Sequence, residues 1–238
     1  MVEISKKYKL KNTVTFGFVN WIGLWTLYKK EVLRFLIVWI QTLLSPIISS
    51  LLFLLVLALA IGNERADVLG YPFITFLAPG LIAMQVIQQA FSHSSSSFMI
   101  GKIQGNIVDI LYAPLSPGEV TTAVVLASAT RSFMIAFISI IIFYFLVDIE
   151  IRNIYAVIFF TLISSIILGC IGVIAGLWAE KFDHMATVTS FIIIPLSFLS
   201  GTFYSIERLP QILQTISKCN PFFYMLSLIH ISEPTRPY

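Results

Sequence analysis

His93 stands in the run Ser92-His93-Ser94-Ser95-Ser96-Ser97, an imidazole beside several hydroxyls. A nucleophilic hydrolase could start from such a pair. The Gly-x-Ser-x-Gly turn that would expose the serine does not occur, and the serine run Ser94 to Ser97 is expected to be a flexible helix end. His184, in Glu180-Lys181-Phe182-Asp183-His184, and His230 are the other imidazoles. None has a partner at the His-Glu-x-x-His spacing that puts two ligands on one helix face, so no metal site is expected. Gly101-Lys102-Ile103 lacks the upstream glycine and the hydroxyl residue of a phosphate-cradling loop, which excludes ATP hydrolysis by that route. Cys170 lies in an apolar run and Cys219 in a polar loop, so the two sit at different depths and no disulfide is expected. The expectation is no catalytic, cofactor-binding or metal-ligating residue.

Charge in an apolar setting is the remaining chemical signal. Arg131 lies about eleven residues into a long apolar run, about 16 Å along the helix from Val120. Left in lipid it would cost about 3 kcal/mol or more, so it must face a protein interior, a watery path or an acid. Glu119, three turns earlier on the same helix, is too far away to pair directly. Two readings stay open: an arginine that snorkels or pairs inside the bundle, and one that serves transport. No apolar run carries Asp or Glu in its middle, which disfavours a proton- or sodium-coupled carrier.

The elements that would position these groups are membrane helices. The chain is 58% hydrophobic and 11% charged, against about 25% charged in a soluble domain. Such a surface needs lipid as its main solvent. Five runs reach the length of a span: Phe35 to Ile61 with Pro46 as a kink, Tyr71 to Phe91 with Pro79-Gly80, Val120 to Val147, Ile154 to Trp178, and Met185 to Phe203 with Pro195 inside. No soluble domain fits between them. Lys6, Lys7, Lys9, Lys11, Lys29, Lys30 and Arg34 precede the first run and place the N-terminus in the cytoplasm. They read as a positive-inside flank and not as a nucleic-acid surface. The start of the chain is too polar, and the run that follows too long, for a cleaved signal peptide.

Two segments are amphipathic without being spans. Asn20 to Arg34 puts Trp21, Leu24, Trp25, Tyr28 and Val32 on one face, as expected of a helix lying in the inner interface. Gly101 to Ala113 sets Ile103, Ile107, Ile110 and Leu111 against Lys102, Gln104, Asn106 and Asp109, and Pro114 and Pro117 end it. Its stripe could rest on the lipid surface or receive a cytosolic partner.

The order of these parts resembles the membrane subunit of type-two ABC exporters, the transport-permease family of drug-resistance, polysaccharide and nodulation-factor exporters. The likeness covers about Phe16 to Met225. It rests on Pro195-Leu196-Ser197-Phe198-Leu199-Ser200-Gly201 with Phe203, then Leu209-Pro210, then Asn220-Pro221-Phe222. Leu115-Ser116-Pro117 with Glu119, and Arg131, also look like that family.

The resemblance implies an all-α polytopic membrane protein of the bacterial inner membrane, with five helices present of an expected six. Residues 1–34 would be the cytosolic start with the interfacial helix, and residues 35–225 the permease domain. Residues 226–238 resemble a translated sequencing-library adapter and are expected to be a non-native tail in place of the sixth helix. Two permease copies, identical or different, would form the path for a drug, a lipid or a lipid-linked glycan. A separate cytosolic ATPase would bind the ATP, leaving this chain no cofactor. It would dock on Ile103, Ile107, Asp109, Ile110 and Leu111 and on the interfacial helix with Trp21, Trp25 and Tyr28. Arg131, Glu119, Pro195 and Phe198 would lie on the path. The competing reading is a membrane assembly or immunity factor that transports nothing.

Overall fold

The computed structural model describes residues 19–61, 72–147 and 154–200, with residues 210, 211, 214 and 215. Every regular element among them is helical. α1 (Trp21–Ile37) starts where the Asn20 side chain accepts the Gly23 N–H at 2.9 Å, a side-chain N-cap. Its buried residues are Leu27, Glu31 and Phe35, one turn apart, and they pack on α5 (Pro117–Tyr144). The expected stripe sits beside that face. Trp21 and Trp25 stay exposed, while the Tyr28 hydroxyl reaches Thr130 of α5 at 2.9 Å. Exposed tryptophans suit the headgroup level of a bilayer.

Phe35 does not open the first span. It ends the buried face of α1 and packs with Leu43, Ile47 and Ile135. The span itself covers Ile40–Ala60. It begins as a π-helical turn, Ile40–Leu44, and continues as α2 (Ser45–Ile61). Pro46 accounts for the irregularity, because its ring removes an N–H and crowds the turn before it. The Thr42 hydroxyl donates to the Phe35 carbonyl at 2.8 Å, which satisfies one of the carbonyls a helix end leaves open.

α3 (Phe73–Ile103) runs twelve residues past the expected end at Phe91, and this overturns the reading of the serine run. Ser94 and Ser95 are buried mid-helix, not in a flexible end. The Ser94 hydroxyl donates back to the Ala90 carbonyl at 3.0 Å, so it carries no unmet polarity into the bundle. Its small size matters more. α6 (Ile154–Trp178) presents Gly169, Gly172 and Gly176 along one face. A β-carbon at Gly172 would lie 2.6 Å from the Phe91 carbonyl oxygen, and one at Gly176 would lie 2.6 Å from that of Ser95. A β-carbon at Gly169 would lie 2.6 Å from the Ser128 hydroxyl of α5. Glycines meeting serines let α6 sink against α3 and α5, and close packing of this kind drives helix association where lipid competes for apolar contact. These three helices form the centre of the bundle.

α3 is joined to α5 through α4 (Ile107–Tyr112), reached by way of Gly105, whose φ of 76° reverses the chain at the end of α3. Four described helices are long and apolar enough to cross a membrane: Ile40–Ala60, Phe73–Ile103, Pro117–Tyr144 and Ile154–Trp178. A shorter apolar helix, Phe182–Phe198, occupies the place of the expected fifth span. It is built from α7 (Phe182–Val188), a π turn Thr189–Ile193 and α8 (Ile194–Phe198), and Pro195 follows the wide turn as Pro46 does. Met185 and Ile193 join it to the core of α3 and α6 through Ile87, Phe91, Met99 and Leu168. Outward-facing Leu59, Phe159, Ile174 and Trp178 stay exposed, an apolar surface that water would not tolerate at this extent. Gly201, Phe203, Leu209, Asn220-Pro221-Phe222, the N-terminal lysines and the tail 226–238 lie outside the described residues.

Candidate functional site

Arg131 is 9% exposed, at mid-length in α5. One amino group of its guanidinium (Nη2) donates to the Thr42 carbonyl at 3.1 Å and to Gln89 Oε1 at 2.6 Å. The first acceptor follows from the kink. Pro46 has no N–H to return to the carbonyl four residues back, which is that of Thr42, and the arginine takes the place. The kink is gripped a second time by Gln85 of α3, whose amide donates to the Pro46 carbonyl at 2.5 Å and accepts from the Ser139 hydroxyl at 3.2 Å. The arginine thus faces the protein interior, one of the settings its sequence position allows, and the acceptors recorded for it are neutral.

A second charged group lies on α1. Glu31 is 2% exposed, and Arg34 Nη2 stands 2.9 Å from its Oε2. The same carboxylate oxygen is 3.9 Å from His93 Nε2, and Arg34 reaches the His93 carbonyl at 3.4 Å. The Phe35 ring meets His93 edge-on at 5.6 Å. His93 is therefore a buried partner of α1 and not a group at a helix end. Sequence reasoning missed Glu31 because it follows Lys29 and Lys30 and reads as part of a solvated face. The four-residue spacing Leu27–Glu31–Phe35 was the available signal.

Arg34 and Arg131 line one cavity of about 910 Å³. α3 supplies Gln85, Gln88, Gln89, Ser92, His93 and Ser96 to its polar wall, and the kinked first span supplies Gln41, Thr42, Ser45, Ser49 and Ser50. The α3 residues recur at intervals of three and four, so α3 turns a polar stripe inward. Phe53 of α2 and Phe198 of α8 add apolar surface. Among the described residues, no Asp or Glu lines the cavity. A polar, cationic cleft let into an apolar bundle is costly to build and is the expected mark of a pathway or binding site.

The other expected path residues fall elsewhere. Pro195 begins α8 on an exposed side, outside the cavity lining. Glu119 starts α5. Its carboxylate accepts the Ser116 N–H at 2.7 Å and the Asn20 N–H at 2.5 Å, while Ser116 Oγ accepts the Glu119 N–H at 3.3 Å. This is a capping box that also holds the start of α1. Asn20 adds a bond from its amide to the Pro114 carbonyl at 3.0 Å. Gly23 fits there because a β-carbon would stand 2.6 Å from Leu115.

The docking stripe expected on Gly101 to Ala113 divides in two. Ile107 turns inward and packs against the cluster of Phe98, Val124, Val125 and Val173. Leu111 is 76% exposed and Tyr112 86% exposed, with Ile103, Val108 and Asp109 also outside. Ile110 is half-buried. Lys102 donates to the Leu177 and Ala179 carbonyls, the latter at 2.9 Å, and so caps the C-terminus of α6. Among the described residues, no three His, Cys, Asp or Glu side chains converge as metal ligands.

A family model described as ABC-2 type transporter matches residues 23–233. The inner membrane transport permease YadH of Escherichia coli K12 is 31% identical over 207 residues, covering 87% of this chain and 81% of YadH. Nodulation protein J of Rhizobium leguminosarum bv. viciae is 24% identical over 236 residues, covering 94% of this chain and 86% of that protein. Nodulation protein J of Neorhizobium galegae is 21% identical over 214 residues, covering 90% and 80%. No solved structure gives a significant match.

Proposed function

The chain belongs to the ABC-2 type transporter membrane family, and from that footing we propose that it is the permease of an ATP-driven exporter whose ATPase is a separate subunit. It is a multi-pass membrane protein and a transport component. The bacterial inner membrane is its proposed home, by likeness to YadH. A second permease copy, identical or not, completes the path.

The observation that carries this reading is the polar cavity of about 910 Å³ among α1, α2, α3, α5 and α8. Its size and mixed walls suit the polar end of an amphipathic cargo such as a drug, a lipid or a lipid-linked glycan, with the apolar end left along the lipid-facing helices. The exposed Leu111 and Tyr112 of α4 supply an apolar edge for the ATPase.

Reconstitution tests the proposal. The gene is expected to adjoin one for an ATPase, and the permease is placed in proteoliposomes with that subunit. ATP turnover that rises several-fold over the ATPase alone is the expected result. An ATPase that neither binds the permease nor responds to it overturns the proposal.

A further inference from the structure

We propose that the cavity is a receptor for the phosphate-bearing, anionic headgroup of an amphiphile, held between Arg131 and Arg34. Both guanidiniums line the same chamber, and no carboxylate among the described residues shares that lining. Glu31, set behind the wall, stands against Arg34. Arg131 has only the Thr42 carbonyl and the Gln89 amide oxygen as recorded acceptors, so its charge is solvated without being neutralised. The Nε–H of each arginine is buried without an acceptor among the described residues. The chain satisfies each fork only in part, and a tetrahedral oxyanion is a ligand whose geometry suits such forks.

The neighbours fit the same ligand. Gln88, Gln89, Ser92 and Ser96 offer amide and hydroxyl donors on the facing stripe of α3. A neutral polar lining would serve a sugar as well, but it would not need a buried, unneutralised arginine with a second guanidinium beside it. A cationic drug would meet repulsion from both arginines. The Phe53 and Phe198 rings at the apolar margin mark where an acyl or isoprenoid tail would leave the polar wall.

The proposal depends on the transport reading only for treating the occupant as cargo, so binding is measured on the full chain alone, without the ATPase. The protein in an uncharged maltoside detergent is titrated with dihexanoyl phosphatidylglycerol, and in parallel with dihexanoylglycerol, which has the same tails and no phosphate. The phosphate form should bind about tenfold more tightly. Arg131→Gln should remove most of that preference, and Arg131→Lys should retain part of it, keeping the charge without the fork. Gln88→Glu keeps both arginines and adds an opposing charge, so it should erode the preference even if Arg131→Gln does not fold. Lys29→Gln with Lys30→Gln should leave it intact. Equal binding of the two lipids overturns the proposal. So does a preference that survives Gln88→Glu, or one that disappears with the lysines. In proteoliposomes with ATPase and ATP, movement of labelled phosphatidylglycerol between leaflets marks the occupant as cargo. Binding without movement marks it as a resident bilayer lipid in the same site.

Discussion

Gly172 of α6 lies so close to Ser94 of α3 that no β-carbon fits between them. The next obstacle, the Phe91 carbonyl oxygen at 2.6 Å from that β-carbon, is main chain and cannot rotate away. Gly172→Ala should therefore push two central helices apart, at about 1–3 kcal/mol of stability. Gly176→Ala, aimed at the Ser95 carbonyl, should behave alike. Gly169→Ala meets the Ser128 hydroxyl and Val125, whose side chains can give, and should be milder. Melting temperatures of the detergent-solubilised protein should rank the three in that way.

Gln89→Leu should be costlier than its exposure suggests. It leaves Arg131 with the Thr42 carbonyl as its only recorded acceptor. Loss of a hydrogen bond to a buried charge costs about 1.5–3 kcal/mol. Gln89→Glu keeps an acceptor and supplies a counter-charge, so it should restore stability while lowering affinity for anions. Thermal unfolding read beside lipid binding separates the two effects.

Leu111→Glu and Tyr112→Glu should weaken co-purification of the ATPase about tenfold without shifting the melting temperature. Ile107→Glu should instead unfold this end of the bundle, because Ile107 packs on the cluster of Phe98, Val124, Val125 and Val173. The same assay on all three variants tells a docking surface from a core position.

Asn20→Ala removes the cap of α1 and its bond to Pro114 together. A lost cap costs about 1 kcal/mol. Ser116→Ala removes the equivalent acceptor at the start of α5 and should cost a similar amount. Both should hasten limited proteolysis in the Ala113–Ser116 linker, which is the direct measurement.

Much of this fold can be read from residue order, and the failures share a cause. α6 was expected over Ile154 to Trp178 and occupies those residues, because an unbroken apolar run between polar loops has one solution in a bilayer. α3 was expected to stop at Phe91, because serines and a histidine signal helix ends in water. Against another helix they do the opposite: a serine bonds back to its own helix and leaves room for a neighbour's glycine. Arg131 and Phe198 were singled out and do line the cavity. Arg34, His93 and the glutamine stripe that complete that wall, and Glu31 behind it, are recognised only once α1 is seen against α3 and α5. No local pattern distinguishes a buried glutamate from a solvated one when lysines precede it. The stripe of α4 failed at Ile107 for a similar reason, since periodicity marks a face without saying what covers it.

α1 has one more property. Its N-cap, Asn20, is pinned to Pro114 of the α4–α5 linker and to Glu119 of α5, and Arg34, in its last turn, forms part of the cavity wall. The two points lie about 21 Å apart on a single helix. A stiff rod cannot shift at one end and rest at the other. A tug on the α4–α5 linker should therefore reach the arginine through the helix itself, with no relay of side chains between them.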